Sequence, residues 1–308
     1  MTDATLPWIS ADEVFARVSF AVAVRAVQRD LRAGLDPADD FSRSILDVAH
    51  GQLLVMPTQS PEFVGIKVAT VAPGNQALGK ARIQGVYLLM DAATLSPIAL
   101  IDGTALTTLR TPAISAAVAD YLAPSHVDHL VVFGSGPQAW GHIEAMQAIR
   151  MLGRVTIVAR DPGRAAALAS RVQARGVEAR VGHANDVRDA QLIVCATTAR
   201  TPLFDGSLVP DDSLSVAVGS HEADARELDS ALVLRAQLVV EDSAVALNEA
   251  GDLLIPLGEG VIDPASLVPM RDIIIGSTPV DRGRPRVFKS SGMPWEDLII
   301  AAEVFRAG

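Results

Sequence analysis

The run Val131-Val132-Phe133-Gly134-Ser135-Gly136-Pro137-Gln138-Ala139 is an apolar strand leading into a G-x-G-x-x-A turn, and it comes well past residue 120. In a βα unit of this kind each small residue has a task. Gly134 makes the tight turn, Gly136 lets backbone amides approach a pyrophosphate, and Ala139 takes the place of the third glycine, where helix meets strand. A helix over residues 138–151 then aims its N-terminal amides and dipole at the phosphates. An ordinary strand–helix turn can show the same glycines. Here a second strand at 155–159 follows at βαβ spacing, which supports dinucleotide binding. A turn this far along also requires a folded unit ahead of it, so the Rossmann domain follows another domain.

The remaining pattern fits two domains. A chain of 308 residues, 49% hydrophobic, has enough apolar material for two cores. Ser10-Ala11-Asp12-Glu13 reads as a capping box opening a helix that runs to about Ala33 and stops at Gly34. Strands are expected at 52–56, 63–70, 86–91 and 97–102, separated by Pro and Gly turns, in a mostly antiparallel sheet. A helix over 107–122 leads to a junction at Pro124. From His129 strands alternate with helices, at 129–133, 155–159, 178–181, 191–195, 214–218 and 237–241, as in a doubly wound parallel sheet. A short helix is expected at 244–250, and an amphipathic helix over 295–307 is expected to pack back on the first domain. The fold class is therefore α/β, a Rossmann-type sheet over 124–293 beside an α+β substrate and dimerisation domain of 1–123 and 294–308.

Composition excludes several roles. The net charge of -10 and the lack of any basic run argue against a nucleic-acid partner. No apolar run approaches the roughly 18 residues of a membrane span, and 19–24, flanked by Arg17 and Arg25, is too short for a signal peptide. Cys195 is the single cysteine, which fits a reducing cytoplasm. A mean hydropathy of +0.30 is high for a soluble monomer and points to apolar surface buried between subunits. The six histidines show no metal-ligand spacing.

Three positions invite chemistry. Lys67 lies inside the apolar text Val64-Gly65-Ile66-Lys67-Val68-Ala69. It is either an edge-strand lysine snorkelling to water or a buried one whose lowered pKa makes it a proton donor or acceptor near neutrality. Arg110, in Thr107-Thr108-Leu109-Arg110-Thr111, is read in the first turn of its helix, where a cation opposes the dipole unless an anion compensates; solvation at the surface is the alternative. At the tip of the second Rossmann strand, Arg160 stands where NAD-preferring sites place an acid, so NADP(H) is favoured. NAD(H) is accepted if Asp161 turns inward. Thr197 follows another parallel strand, at the edge where cofactors sit.

Several blocks together resemble the ornithine cyclodeaminase/mu-crystallin family: Gly65-Ile66-Lys67-Val68, Pro73-Gly74-Asn75, Asp102-Gly103-Thr104-Ala105-Leu106-Thr107-Thr108-Leu109-Arg110-Thr111, the glycine turn, Arg226-Glu227-Leu228-Asp229, Glu249-Ala250-Gly251-Asp252 and Phe288-Lys289-Ser290-Ser291-Gly292. They occur in family order over nearly the whole chain. The resemblance implies a two-domain homodimer acting on a small amino or imino acid held against a nicotinamide. It implies that Arg43 and Arg110 hold the substrate carboxylate, with Ser291 on the same ligand. Lys67 becomes the active-site lysine, which settles its two readings. Arg110, Thr111, Lys289, Ser290 and the loop Val218-Gly219-Ser220 are implied to lie at the cofactor, with Gly134, Gly136, Pro137, Gln138, Ala139, Arg160 and Asp161.

One departure bears on the reaction. Family members that expel ammonia from ornithine are expected to carry an aspartate two residues after the strand-end glycine, and His221 stands there in Gly219-Ser220-His221-Glu222-Ala223-Asp224. Asp224 is three positions too late unless the loop bulges. Imine reduction asks only for an anchored carboxylate, a proton and a hydride. The resemblance with this departure implies an NADPH-dependent reductase of a cyclic ketimine carboxylate, with Lys67 as proton donor and His221 bordering the pocket. The alternatives are an ornithine cyclodeaminase using catalytic NAD+, an amino-acid dehydrogenase, and a non-enzymatic protein that binds NADPH or another ligand.

Overall fold

A computed structural model describes residues 5–308, which divide into two compact units. The first takes in the described residues up to Asp30, Gly34–Arg110 and Gly292–Gly308; the second takes in Leu31–Ala33 and Thr111–Ser291.

The first unit opens with β1 (Trp8–Ile9), α1 (Ala11–Arg17) and α2 (Phe20–Arg32). The capping box forms: Ser10 Oγ accepts from Glu13 N at 3.5 Å, and Glu13 Oε2 accepts from Ser10 N at 2.9 Å. The single helix expected from Ser10 to Ala33 is instead two. Val18 turns extended (φ -129°, ψ 113°), and Ser19 Oγ accepts from Val22 N at 3.3 Å to start the second. A hydroxyl that competes for a backbone amide favours a helix start over a helix interior. Strands β2 (Ser44–Val48), β3 (Gly51–Gln59), β4 (Phe63–Val71), β5 (Ile83–Asp91) and β6 (Pro97–Asp102) follow. The six-stranded order is β1-β6-β5-β4-β3-β2, antiparallel throughout except for β1 along β6. Strands β1 and β2 were not anticipated, the first for its length and the second because none of its residues is buried.

The two faces of this sheet differ in burial but not in polarity. Register places Met56, Lys67 and Tyr87 side by side, and Thr58 beside Gly65, all buried. The C-terminal helix α10 (Pro294–Arg306) packs on β3, β4 and β5. It was expected to be amphipathic, yet every residue from Pro294 to Ala302 is buried, two acids included. The opposite face carries Leu46, Val55, Ile66, Val68, Leu88 and Leu100, half-buried or exposed. A sheet with one solvated face normally alternates apolar and polar residues; this one is apolar on both.

Helix α3 (Gly103–Leu122) begins as soon as β6 ends, because Asp102 Oδ1 accepts from Ala105 N at 2.8 Å. A Cβ on Gly103 would lie 2.8 Å from the Gly85 carbonyl carbon, so only glycine lets the helix start this close to β5. This moves the helix start four residues ahead of the expected Thr107. Arg110 is therefore in the second turn, and the dipole argument made for it does not apply.

The second unit contains β7 (Val127–Phe133), α4 (Pro137–Gln147), β8 (Leu152–Val158), α5 (Pro162–Gln173), β9 (Glu178–Val181), β10 (Leu192–Cys195) and β11 (Leu214–Ala217). It continues with α6 (Ser230–Arg235), β12 (Gln237–Val240), α7 (Ser243–Glu249), α8 (Gly251–Gly258), β13 (Leu267–Pro269), α9 (Met270–Ile275) and β14 (Arg286–Lys289). All eight strands are parallel, in the order β13-β12-β14-β11-β10-β7-β8-β9. The chain leaves β7 for β8 and β9 on one side and returns to β10 on the other. This puts the glycine turn after β7 at the switch point, the usual place for a ligand in such sheets. The four residues of β10, β11, β12 and β14 are all buried, as expected of strands covered on both faces. Strand β14 escaped sequence reading because Arg-Val-Phe-Lys has a charge at each end.

Candidate active site

Chemistry-bearing side chains collect in two clusters, one in each unit. In the first unit Lys67 lies on an interior strand and is 2% exposed, so the edge-strand alternative fails. Its Nζ donates to Asp297 Oδ2 at 2.5 Å and to Thr107 Oγ1 at 3.5 Å. Burial pushes the ammonium down to about 8, with Arg110 acting in the same direction and Asp297 against it. Arg110 Nη1 donates to Glu296 Oε2 at 2.7 Å, and its Nε lies 3.5 Å from Asp297 Oδ1. Gly292 has φ +75° and passes so close to the Arg110 guanidinium that a Cβ would come within 2.6 Å of Nη1. Arg43 Nη1 donates to the Gly292 carbonyl at 2.7 Å. Lys67, Arg110 and Arg43, far apart in sequence, thus gather around the segment that begins α10. Tyr87 completes the floor. Its hydroxyl is buried, and burial holds the phenol well above its ordinary range.

In the second unit the glycine turn takes a backbone that glycine alone allows. Gly134 adopts φ +117°, and a Cβ there would lie 2.5 Å from Ala196 O. Gly136 caps α4 with no side-chain hydrogen bond, and a Cβ on it would meet nothing within 4 Å. Pro137, Gln138 and Ala139 form the first turn of this 11-residue helix, and no side chain caps its N-terminus. These residues fit a dinucleotide. At the tip of β8, Asp161 is committed to capping α5, accepting from Gly163 N at 2.9 Å and Arg164 N at 3.1 Å, while Arg160 is exposed beside it.

The other expected cofactor residues are held by buried acids that sequence reading had given no role. Glu227 Oε1 accepts from Thr197 N at 2.8 Å and Thr197 Oγ1 at 2.7 Å, and its Oε2 accepts from Gly219 N at 2.8 Å. One carboxylate thus ties the ends of β10 and β11 together. A Cβ on Gly219 would strike Thr197 O at 2.0 Å, which is why glycine stands there. Lys289 Nζ donates to Ser220 O at 2.6 Å and lies 3.4 Å from Asp252 Oδ2, so its charge anchors the Val218-Gly219-Ser220 loop. Asp252 Oδ1 in turn accepts from Glu227 N and Leu228 N. Glu241 accepts from Ser290 Oγ at 2.5 Å and Ser291 N at 2.8 Å. Thr111 is buried on α3, directly after Arg110. His221 is exposed in the loop after Ser220, and Asp224 is exposed and paired with Arg200 at 2.7 Å. Cys195 is buried, and burial raises its thiol well above the ordinary value.

Acids inside apolar text were the available signal. Glu241 follows Leu238-Val239-Val240, and Glu296-Asp297 precede Leu298-Ile299-Ile300. A carboxylate in such surroundings needs a cation or several donors.

What the fold and these clusters define is a Rossmann-type α/β protein with a second unit that holds a lysine and an arginine against buried acids. The chain belongs to the ornithine cyclodeaminase/mu-crystallin family, whose model matches residues 9–307. It is 32% identical to a Δ1-pyrroline-2-carboxylate reductase of Bacillus cereus, over 96% of this chain and 92% of that protein. It is also 32% identical to the mouse ketimine reductase mu-crystallin, over 85% of this chain and 83% of that one. Among solved structures, Thermococcus litoralis Δ1-pyrroline-2-carboxylate reductase in complex with NADH and L-proline superimposes with a TM-score of 0.92. Identity there is 28%, covering 98% of this chain and 97% of the other.

Proposed function

We propose that this protein is an NAD(P)H-dependent reductase of a cyclic ketimine carboxylate, converting Δ1-pyrroline-2-carboxylate or Δ1-piperideine-2-carboxylate to proline or pipecolate. The observation that carries this reading is Lys67, buried beside Arg110 in a cluster of paired charges, its ammonium pushed down to about 8. The relatives named above act on the same class of imine and support it. Arg43 and Arg110 hold the substrate carboxylate, and Ser291 adds a hydroxyl to the same ligand. Lys67 supplies the proton that the imine nitrogen takes up. A reduced nicotinamide bound at the glycine turn's domain would supply the hydride, two electrons with one hydrogen, for the imine carbon. With the carboxylate anchored, the rate gain comes mainly from holding C=N in line for that transfer. The glycine turn, the loop Val218-Gly219-Ser220, Thr111, Thr197, Lys289 and Ser290 form or brace the cofactor site.

Cyclodeamination finds less support. His221 replaces the expected aspartate, and Asp224 is an exposed partner of Arg200. The test is NADPH oxidation with each imine, run beside ornithine plus NAD+ with ammonia detection. Imine-dependent NADPH loss without ammonia is the expected result; ammonia and proline from ornithine would replace the reductase with the lyase.

The cofactor is NADP(H) in preference to NAD(H), since Asp161 is occupied as a cap and Arg160 is exposed for a 2′-phosphate. Arg160→Ala is expected to raise the KM for NADPH by about 10- to 100-fold, the worth of a hydrogen bond to a charged group, and to leave that for NADH unchanged. An equal effect on both cofactors would remove Arg160 from the phosphate site.

For pH, Lys67 acts as the acid. Its protonated fraction is complete well below about 8 and falls as pH rises through that value, so kcat/KM is expected to drop on the alkaline side from about 8. A profile flat to pH 10 would show that no group of this kind is needed.

The protein is proposed to be a cytoplasmic homodimer with no nucleic-acid or membrane partner. Among the described residues no helix is long and apolar enough to cross a membrane. The open apolar face of the first unit's sheet is the proposed subunit interface.

A further inference from the structure

Two acids are consecutive in the first turn of α10, and each takes a different cation. Glu296 binds Arg110 at 2.7 Å, and Asp297 binds Lys67 at 2.5 Å while lying 3.5 Å from Arg110. Both acids are wholly buried. Stability alone is a weak reason for such pairs. Desolvating two charges offsets most of their attraction, and apolar replacements of similar volume are often no less stable. Lysine also has a flexible four-carbon stem, so a strand position by itself does not locate its nitrogen.

The groups facing Lys67 come from every element around it. Helix α10 contributes Asp297 and Glu296, α3 contributes Arg110 and the Thr107 hydroxyl, and β5 contributes Tyr87, its cross-strand neighbour. Ahead of β2 lie Arg43, bound to Gly292 O, and Asp40, whose Oδ2 accepts from Trp295 N at 2.8 Å. Burial raises the Asp40 carboxyl above its ordinary value. Asp297 is the acid in hydrogen-bond contact with Lys67.

We propose that Asp297 is a positioning residue for the reduction, fixing Lys67 Nζ in place and keeping it charged with the proton that the imine nitrogen receives. This rests on the reductase reading above. In the step, an N–H bond of the Lys67 ammonium breaks and an N–H bond to the imine nitrogen forms. The C=N π electrons move onto nitrogen as the hydride from the reduced nicotinamide bonds to carbon. Neutral Lys67 then regains a proton from water. Burial and Arg110 both oppose the charged form, and Asp297 is the largest influence favouring it. Without Asp297 the ammonium would lose its proton at lower pH, and the nitrogen would be free to wander.

The chain has three lysines, Lys67, Lys80 and Lys289, so protein labelled with 13C at lysine Cε gives three signals to follow through a pH titration. Lys67 is identified as the signal lost in Lys67→Met. In Asp297→Asn its midpoint is expected to fall by roughly one to three pH units, and the alkaline limb of kcat/KM to move down with it. Asp297→Glu should return both toward wild type. A Lys67 midpoint that stays put in folded Asp297→Asn overturns the proposal, as does a midpoint that moves while the limb does not. If Asp297→Asn does not fold, the smaller uncharged Asp297→Ser carries the test, and a Lys67 midpoint unmoved in it overturns the proposal. Failure of the reductase reading looks different: wild-type protein oxidises NADPH with neither imine, and the proposal falls with it.

Discussion

Replacing Lys67 with methionine is expected to lower kcat by about 10²- to 10⁴-fold, the usual worth of a positioned proton donor, while NADPH affinity stays within a few-fold of wild type. Lys67 is buried against Asp297, Arg110 and Thr107, in the unit that lacks the glycine turn, so its loss leaves the proposed phosphate site intact. The substitution also strands Asp297 as a buried carboxylate without its lysine. Breaking a buried pair from one side costs about 3–5 kcal/mol, so the variant should melt well below wild type. The double substitution Lys67→Met with Asp297→Asn removes the stranded charge. It should recover much of that stability and none of the turnover. Steady-state kinetics and thermal melts on the three variants separate the two effects. Turnover by the single variant within a few-fold of wild type would remove Lys67 from the reaction.

Placing a glutamate at Val68 is expected to convert the proposed dimer into monomers at micromolar concentration. Val68 is on interior strand β4, 36% exposed, with Val55 and Val86 as its cross-strand partners. Ile66 and Leu88 pair beside them, and all point to the open face. A patch of this kind on a lone protomer marks a subunit contact, and a second copy of the same face is the simplest cover because twofold interfaces are self-complementary. A carboxylate forced into that contact without a partner costs several kcal/mol, and each 1.4 kcal/mol is tenfold in affinity. Dimer dissociation should therefore strengthen by roughly 10²- to 10³-fold. The fold should survive, because the side chain is solvated in the separate protomer. Light scattering coupled to size exclusion gives the mass directly. A monomeric wild type, or a Val68→Glu protein that remains dimeric, would place the interface elsewhere or nowhere.

The elements that sequence reading located are those whose own residues determine them. The glycine turn at Gly134 was legible because its φ of +117° and its 2.5 Å approach to Ala196 O leave no alternative to glycine. The capping box at Ser10 was legible because both partners lie within three residues of each other. The short apolar runs of β4 and β5, and β7 through β12, bounded by turns or alternating with helices, are distinct enough to be read directly. Where a local contact competed, reading was less secure. A single serine hydroxyl at Ser19 splits one expected helix into two, and Asp102 starts α3 four residues early. Strand β14, with only Val287 and Phe288 apolar between two charges, carries too short a signal to announce itself.

The site was half legible. Lys67 stood out as a cation in an apolar strand, Arg110 only through a helix-start placement that the structure moves, and family resemblance gave both their roles. Their partners were hidden by distance along the chain: Asp297 is 230 residues from Lys67, and Glu296 is 186 residues from Arg110. The same holds for Glu227, 30 residues from the Thr197 it braces, and for Glu241, 49 residues from Ser290. The sequence by itself determined the class of fold, the glycine turn and the strand that carries Lys67, because glycine sterics and hydrophobic period act over a few residues. Only the tertiary structure decided which acid meets which cation, that Lys289 and Glu227 brace loops, and that one sheet is apolar on both faces. Charges in a low-dielectric interior answer to whatever lies within a few ångströms, and chain folding alone brings those neighbours there.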